Sequence, residues 1–447
     1  MFCRMNRQCS TLLLMSAVIF TLASCDYRNS SSDAVAADGG GKTNDASGAS
    51  EDLGFRGESP DTSFGTDPDA MPAVDPDTGA PSDASMCSDD PPAFPDNLVC
   101  QTWQCDEQPA PACWTCSAVP MDDGSDCRLP DEAVGVCREG ACISSSAPGQ
   151  PGDFAVDDAA AAFEVDRGIL PTNIPLTLYL PQEAGPFPVV IFHHGFELNV
   201  ALYASYGEHL ASWGYVVVMP QMPGGFIGGP NHVELKDYLI ALMDWVQANA
   251  AAPDGPLQGK VDPDRIGLAG HSLGGKISLL TSSADPRPIA VFGIDPVDAA
   301  GGPIPMPEEQ YPSVTPERMN QIVIPIGLVG ETTNATCEGF GCQACAPEDN
   351  NFHQYYEHAA SPALEIEIIG ANHMSFLDNP NCGLLCTVCS AGMDDPNTTR
   401  MLTQRYMTAF FNVFLREDMS FLRYLTGVQM EQDIAAERVL STSRNGF

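Results

Sequence analysis

The sequence has few basic side chains. It carries 20 Lys and Arg residues against 59 Asp and Glu residues, which gives a formal net charge of −39 over 447 residues. Nucleic-acid binding depends on Lys and Arg, because these side chains neutralise phosphates and release counterions. Their scarcity excludes nucleic acid as a partner.

Long apolar runs are also scarce. The stretch Leu12–Ala23 is sustained, but it is too short to span a bilayer comfortably. No other stretch is long and apolar enough to cross a membrane, which excludes a polytopic membrane protein. Arg4 and Arg7 precede the apolar run and small residues follow it, as in a secretory signal.

The end of this run, Leu22-Ala23-Ser24-Cys25, resembles a bacterial lipobox. The sequence therefore predicts a lipoprotein signal peptide at 1–24 and acylation of Cys25, with several acyl chains giving the stable anchoring that one chain cannot. The expected location is the cell envelope, with the lipid as the membrane contact. A plain secretory signal that ends near a Cys is the alternative.

The cysteine pattern is consistent with export. Of 17 Cys, eight lie between Cys87 and Cys142 and six between Cys337 and Cys389. Both groups are even in number, as two disulfide frameworks outside the reducing cytosol require. Zinc is the competing interpretation, since Cys342 and Cys345 have ligand-like spacing. We favour disulfides and expect no metal.

The chain divides into regions of different composition. Residues 25–85 have few large apolar side chains, which predicts a disordered acidic linker. Residues 86–146 are too few for a large core and predict a disulfide-rich module, either a stalk or a binding module. Residues 152–420 predict a catalytic domain, and residues 421–447 a C-terminal tail.

The catalytic region alternates strands with helices, which predicts an α/β fold with a mostly parallel central sheet and helices on both faces. The predicted helices are Leu202–Trp213, Val233–Asn249 and one that ends near Leu280. The predicted strands are Val189–His193, Tyr215–Met219, Arg265–Ala269, Ile289–Ile294, Ile322–Val329 and Leu364–Ile369.

A possible nucleophile follows the strand Arg265–Ala269. Residues Gly270–Gly274 read Gly-His-Ser-Leu-Gly and fit G-x-S-x-G, the nucleophile elbow. This chemistry needs the Ser on a tight strand-to-helix turn, exposed above the sheet, with the helix N-terminus facing the developing charge. The preceding apolar strand and the following helix supply that context, so Ser272 is the predicted nucleophile.

Acyl transfer also needs donors for the oxyanion and a general base. The predicted donors are the backbone N–H groups of Leu273, after the nucleophile, and of Phe196, in the loop after Val189–His193. We assign only local hydrogen bonds to the side chains of His193 and His194. His373 is the predicted base, because it follows the last predicted strand.

The acid of the triad has three candidates. The fold requires the chain order Ser, acid, His. His353 and His358 lie in a helical segment, so His373 is the histidine expected to complete this order. Asp295 directly follows the strand Ile289–Ile294, Asp298 lies three residues further along, and Glu331 follows the next strand.

The chain resembles the chlorophyllase family and related secreted α/β-hydrolases, including polyester hydrolases and platelet-activating-factor acetylhydrolases. The resemblance covers most of 152–418 and leaves residues 1–150 outside. The similar segments are Pro188–Phe196, Gly214–Gln221, Gly270–Lys276, Gly293–Asp298, Cys345–Pro347, His353 with Tyr355 and Tyr356, and His373–Asp378. The resemblance implies an α/β-hydrolase fold and ester hydrolysis, and it favours Asp295 as the acid.

Two positions depart from the family pattern. Leu273 stands where chlorophyllases usually carry Arg, and Ser375 where they usually carry Asp. Both are expected near the cleft, so another ester, small or polymeric, is the expected substrate rather than chlorophyll.

The sequence thus predicts an exported, lipid-anchored serine esterase with the triad Ser272, Asp295 and His373. No metal or organic cofactor is implied. The alternative from another class is a surface protein with an inactive hydrolase domain that binds through its Cys-rich module.

The predicted anchor can be tested directly. Because the thiol of Cys25 is the acyl acceptor, Cys25→Ser should abolish lipidation and leave the protein soluble or unprocessed. Fractionation of cells that express each form measures this. A variant that is still cleaved and membrane-bound like the wild type would contradict the prediction.

Overall fold

A computed structural model describes residues 85–86, 101–108, 113–121, 126–128, 134–138, 141–144, 147–166, 171–225, 230–300, 306–337 and 343–447. These residues belong to one compact unit, Thr78–Phe447. The predicted signal peptide, Cys25 and nearly all of the acidic linker lie outside the described residues.

Two small antiparallel sheets lie in the Cys-rich region. Their strands are β1 (Ser85–Met86), β2 (Gln101–Gln108), β3 (Cys113–Pro120), β4 (Asp126–Arg128), β5 (Val134–Arg138) and β6 (Ala141–Ser144). The strand orders are β1-β3-β2 and β4-β5-β6. Cys137 is buried and disulfide-bonded, as expected where disulfides replace a large core.

A nine-stranded sheet forms the centre of the catalytic region, in the order β15-β14-β13-β12-β11-β9-β10-β8-β7. Six neighbouring strands, from β10 to β14 in this order, pair in parallel, and the outer strands pair antiparallel. The strand bounds are β7 Val156–Asp166, β8 Pro171–Pro181, β9 Phe187–His193, β10 Val216–Pro220, β11 Val261–His271, β12 Pro288–Ile294, β13 Ile326–Glu331, β14 Ala363–Ile368 and β15 Val439–Arg444.

Burial explains the composition of the parallel strands. Every residue of β9, β10 and β13 is buried, so these strands read as continuous apolar runs instead of alternating patterns. The outer strand β7 alternates buried, partly buried and exposed positions.

Helices cover both faces of the sheet. They are α1 (Ala204–Ser212), α2 (His232–Ala251), α3 (Leu273–Ser282), α4 (Phe352–Glu357), α5 (Pro396–Leu415) and α6 (Val428–Ala435). One core contains side chains from α1 and α5, and a second core contains side chains from α2, α3 and α4. The predicted α/β-hydrolase fold, with a mostly parallel sheet and helices on both faces, is confirmed.

The C-terminal residues differ from the prediction. Residues 421–447 are predicted to form a tail, but β15 pairs with β14 over six residues and completes the sheet. The strand is polar and lies at an edge, so it has no apolar run to reveal it. The catalytic domain therefore includes the tail region.

Within the described ranges, no helix combines the length and the apolar character that a bilayer span needs.

A charged cluster links α4 to the sheet. The Nδ1 atom of His353 lies 3.0 Å from Glu365, and its Nε2 atom 3.7 Å from Glu367, both on β14. Hydrogen bonds to Glu365 and then Glu367 raise the pKa of His353 to about 10. His353, which the sequence places in a helical segment, is thus paired with two carboxylates.

This cluster predicts a pH-dependent stability. A histidine whose folded-state pKa is raised stabilises the fold fully below its unfolded value, near 6.5, and progressively less up to about pH 10. His353→Gln should therefore lower the urea midpoint most at pH 6 and least near pH 10. A difference that stays constant between these pH values would count against the pairing.

Candidate active site

Ser272 lies on a strained turn between β11 and α3. Its backbone has φ 55° and ψ −121°, a region that non-glycine residues rarely adopt. The side chain is partly exposed, whereas His271 and Gly274 on either side are buried. The turn thus presents one hydroxyl at the carboxyl edge of the sheet, the geometry of a nucleophile elbow.

The glycines of the motif are required by space. A Cβ on Gly270 would lie 2.5 Å from the carbonyl carbon of Gly274, and one on Gly274 would lie 2.0 Å from the carbonyl oxygen of His193. Only glycine allows helix α3 to begin this close to the end of β9.

His373 connects Ser272 to Asp295. Its Nδ1 atom lies 2.6 Å from Asp295 Oδ2 and its Nε2 atom lies 2.9 Å from Ser272 Oγ. Because a carboxylate only accepts, Nδ1–H donates to Asp295, and Nε2 is left to accept from the hydroxyl. His373 and Asp295 are buried. The structure therefore brings together the three residues that the sequence analysis nominated.

Asp298 is placed elsewhere. Its carboxylate lies 3.0 Å from the fully buried Nζ of Lys276, on α3. It also accepts hydrogen bonds from the backbone of Val314 and from Thr315. These contacts connect a loop to α3. Both oxygens of Asp298 have partners in them, and His373 is not among those partners.

Glu331 is also engaged with its own loop. It accepts from the backbone N–H groups of Thr333 and Asn334. Burial, followed by the nearby charge of Asp295, raises the pKa of Glu331 to about 8. A carboxyl group whose pKa is raised in this way is poorly suited to stabilise an imidazolium.

The loop after β9 holds the predicted oxyanion donor Phe196. Helix α3 begins against the end of this strand, because Gly274 packs on the carbonyl oxygens of His193 and His194. This packing places the start of α3, with Leu273, next to the loop of Phe196. Both predicted donors therefore belong to segments that meet at the elbow.

Two histidines hold this loop through the predicted local hydrogen bonds, and His194 adds a bond to Met222 that was not predicted. His194 Nδ1 donates to the carbonyl of Gly195 at 2.7 Å, and its Nε2 accepts from the N–H of Met222 at 2.9 Å. That carbonyl belongs to the peptide whose N–H is that of Phe196. His193 Nδ1 donates to the carbonyl of His194 at 2.7 Å.

Burial keeps both rings neutral. It lowers the pKa of His193 to about 3 and lowers that of His194. Each ring then has one fixed donor nitrogen. The sequence signal for this arrangement was the pair of His residues at the end of a fully buried strand.

The loop of His373 is fixed by amide side chains. Asn334 Oδ1 accepts from the N–H of His373 at 2.9 Å, and Asn334 Nδ2 donates to the carbonyl of Ser390 at 3.1 Å. Asn372 donates to the same carbonyl at 2.8 Å. Ser375 is buried and its hydroxyl donates to Asp394, so this departure from the family pattern supports the turn after His373.

A disulfide lies beside this network. Cys345, in the loop after β13, is bonded to Cys389, which precedes Ser390 in the loop after β14. A second disulfide joins Cys382 and Cys386 within one loop, and Cys337 is also disulfide-bonded. Cys342 lies outside the described residues. The cross-link between loops therefore holds the segment to which both Asn side chains bind.

In the ranges that the structure covers, no three His, Cys, Asp or Glu side chains cluster as metal ligands.

A family model described as chlorophyllase matches residues 150–439. The chain belongs to the chlorophyllase family. Membership places it among the ester hydrolases of the α/β-hydrolase type. The matched segment contains the elbow, Asp295 and His373, and it ends at the start of β15.

Individual relatives agree with this assignment. Chlorophyllase-2 of Arabidopsis thaliana is 26% identical over 219 residues, which cover 47% of this chain and 66% of the relative. Chlorophyllase-1 of the same plant is 27% identical over 268 residues, covering 56% and 79%. Chlorophyllase type 0 of Chenopodium album is 25% identical over 267 residues, covering 55% and 72%.

The two disulfides predict different losses of stability. The Cys345–Cys389 bond spans 44 residues of sequence and the Cys382–Cys386 bond spans four. Loop-closure entropy then gives about 4 kcal/mol for the first and about 2 kcal/mol for the second. Urea denaturation of the double variants Cys345→Ser/Cys389→Ser and Cys382→Ser/Cys386→Ser compares them. Equal losses, or a larger loss for the short loop, would contradict the prediction.

Proposed function

We propose that the protein is an exported, lipid-anchored serine hydrolase that cleaves carboxylic esters through an acyl-enzyme. The observation that carries the proposal is the hydrogen-bonded series from Asp295 through His373 to Ser272, at 2.6 Å and 2.9 Å. It occurs at the strained elbow of a chain whose family consists of ester hydrolases.

The geometry supports the following mechanism. Ser272 attacks the ester carbonyl while His373 Nε2 accepts its proton, and Asp295 stabilises the imidazolium and keeps Nδ1 protonated. The negative charge on the carbonyl oxygen is met by the N–H groups of Leu273 and Phe196. His373 then protonates the leaving alcohol, and water, activated by the same histidine, releases the acid.

The substrate is proposed by class. The relatives are named for chlorophyll, but Leu273 stands beside the nucleophile where chlorophyllases usually carry Arg. We therefore propose a small-molecule or polymeric ester, which a panel of esters with short, long and aromatic acyl groups would identify. The lipid at Cys25 and the acidic linker would hold the enzyme away from the envelope surface.

The three carboxylates give a quantitative test. Asp295→Asn should lower kcat by about 10⁴-fold on one soluble ester, because the imidazole loses its orienting acid. Glu331→Gln should lower it far less. Asp298→Asn should mainly lower stability, since it leaves Lys276 buried beside a neutral partner. If Glu331→Gln abolishes the rate and Asp295→Asn does not, the acid assignment is wrong.

A covalent probe separates the enzyme from an inactive binding protein. A fluorophosphonate should label the wild type at Ser272, and Ser272→Ala should lose both labelling and turnover. The Cys25→Ser form serves as a soluble control, because residue 25 is remote in sequence from the site and its change should leave Ser272 reactive. An unlabelled, inactive wild type would favour a binding role.

A further inference from the structure

A second hydrogen-bonded series crosses the site, and the mechanism above does not use it. The N–H of Gly195 donates to the Tyr203 hydroxyl at 3.1 Å. The hydroxyl lies 2.7 Å from His271 Nδ1, and His271 Nε2 lies 3.0 Å from the carbonyl oxygen of His373. The series therefore joins the oxyanion loop, the elbow and the loop of the base.

The direction of each hydrogen bond follows from the two groups at the ends of the series, the Gly195 N–H and the His373 carbonyl. The carbonyl of His373 can only accept, so His271 carries its proton on Nε2 and Nδ1 accepts. Tyr203 then donates to Nδ1 and accepts from Gly195 through the same oxygen. Burial lowers the pKa of His271 well below its ordinary value, which keeps this neutral form.

The two side chains have no solvent to replace these bonds. Tyr203 and His271 are both fully buried. A Cβ on Gly195 would lie 3.1 Å from the Tyr203 oxygen and 3.2 Å from His271 Nδ1, so the loop is packed directly on the pair. The charged and titratable groups that affect the pair are few: His373 faces His271, with ring centroids 4.7 Å apart, and Asp378 acts on Tyr203.

We propose that Tyr203 and His271 are a positioning pair for the ester hydrolysis proposed above: they hold the Gly195–Phe196 loop and the His373 backbone at fixed positions relative to Ser272. The pair touches no reacting atom. It acts by fixing the positions of the Phe196 N–H, which is the proposed oxyanion donor, and of His373, which is the proposed base. His271, the residue before Ser272, lies between them.

The variant Tyr203→Phe tests the proposal because it removes one oxygen and keeps the ring. It leaves Gly195 N–H and His271 Nδ1 without their shared partner. On p-nitrophenyl butyrate we expect kcat to fall about tenfold or more with KM changed less than twofold, since placement matters most for the transition state. The Kd for phenylboronic acid, which forms a tetrahedral adduct with a nucleophilic serine, should rise by a similar factor.

Tyr215→Phe is the matched control. Tyr215 is also fully buried, and its hydroxyl donates to Asn412 Oδ1 at 2.9 Å, away from the site. Both variants should lose similar stability, but Tyr215→Phe should keep kcat within twofold of the wild type. Equal kcat in the two variants would overturn the proposal.

A measurement on the wild type avoids any dependence on how the variants fold. With ¹⁵N-labelled histidine, NMR should find His271 neutral with its proton on Nε2 at pH 6. The other tautomer, or a protonated ring, would overturn the proposal. Ser272→Ala separates the two claims: if that variant still turns over ester, the serine mechanism fails, and the tautomer alone decides whether the pair is arranged as proposed.

Discussion

The close approach of helix α3 to the carboxyl end of strand β9 is the constraint on which the site depends. A Cβ on Gly274 would lie 2.0 Å from the carbonyl oxygen of His193, so the helix begins in contact with that strand. The chain can enter such a helix only through a sharp turn, which leaves Ser272 at φ 55°. Strain of this kind costs about 1–3 kcal/mol and persists only where the surrounding packing fixes it. Fully buried strands and helices on both sides provide that packing.

The carboxyl edge of the sheet also determines which carboxylate contacts His373. Strands β12 and β13 are parallel neighbours, so Asp295 and Glu331 leave the sheet side by side. Like charges in a low dielectric disfavour each other, and burial together with the nearby charge of Asp295 raises the pKa of Glu331. Glu331 binds the backbone of Thr333 and Asn334. Glu331 therefore shapes the loop that, through Asn334, holds the base, while Asp295 contacts the base itself.

The parts of the structure that have a local sequence pattern could be predicted. Buried parallel strands are continuous apolar runs, and the elbow is a short motif, so β9 through β14 and Ser272 could be predicted. The antiparallel edge strands β7 and β15 could not, since their polar or mixed composition has no distinct period. Spacing alone also could not distinguish among Asp295, Asp298 and Glu331 as the acid of the triad. The contact between Tyr203 and His271 joins residues 68 positions apart, and nothing local in the sequence indicates it.

The histidines of the site divide into two kinds for one physical reason. His193, His194 and His271 are buried, each makes at least one hydrogen bond to the backbone, and burial lowers their pKa values. A histidine kept neutral is a rigid connector with one donor and one acceptor, comparable to a peptide group. His373 differs because its Nε2 faces the partly exposed Ser272 and its Nδ1 faces a carboxylate. In the proposed mechanism Asp295 faces the proton that His373 gains, whereas burial disfavours a proton on each of the other three. The proposed mechanism thus assigns proton transfer to one imidazole, and the other three hold that imidazole and the loop of Phe196 in place.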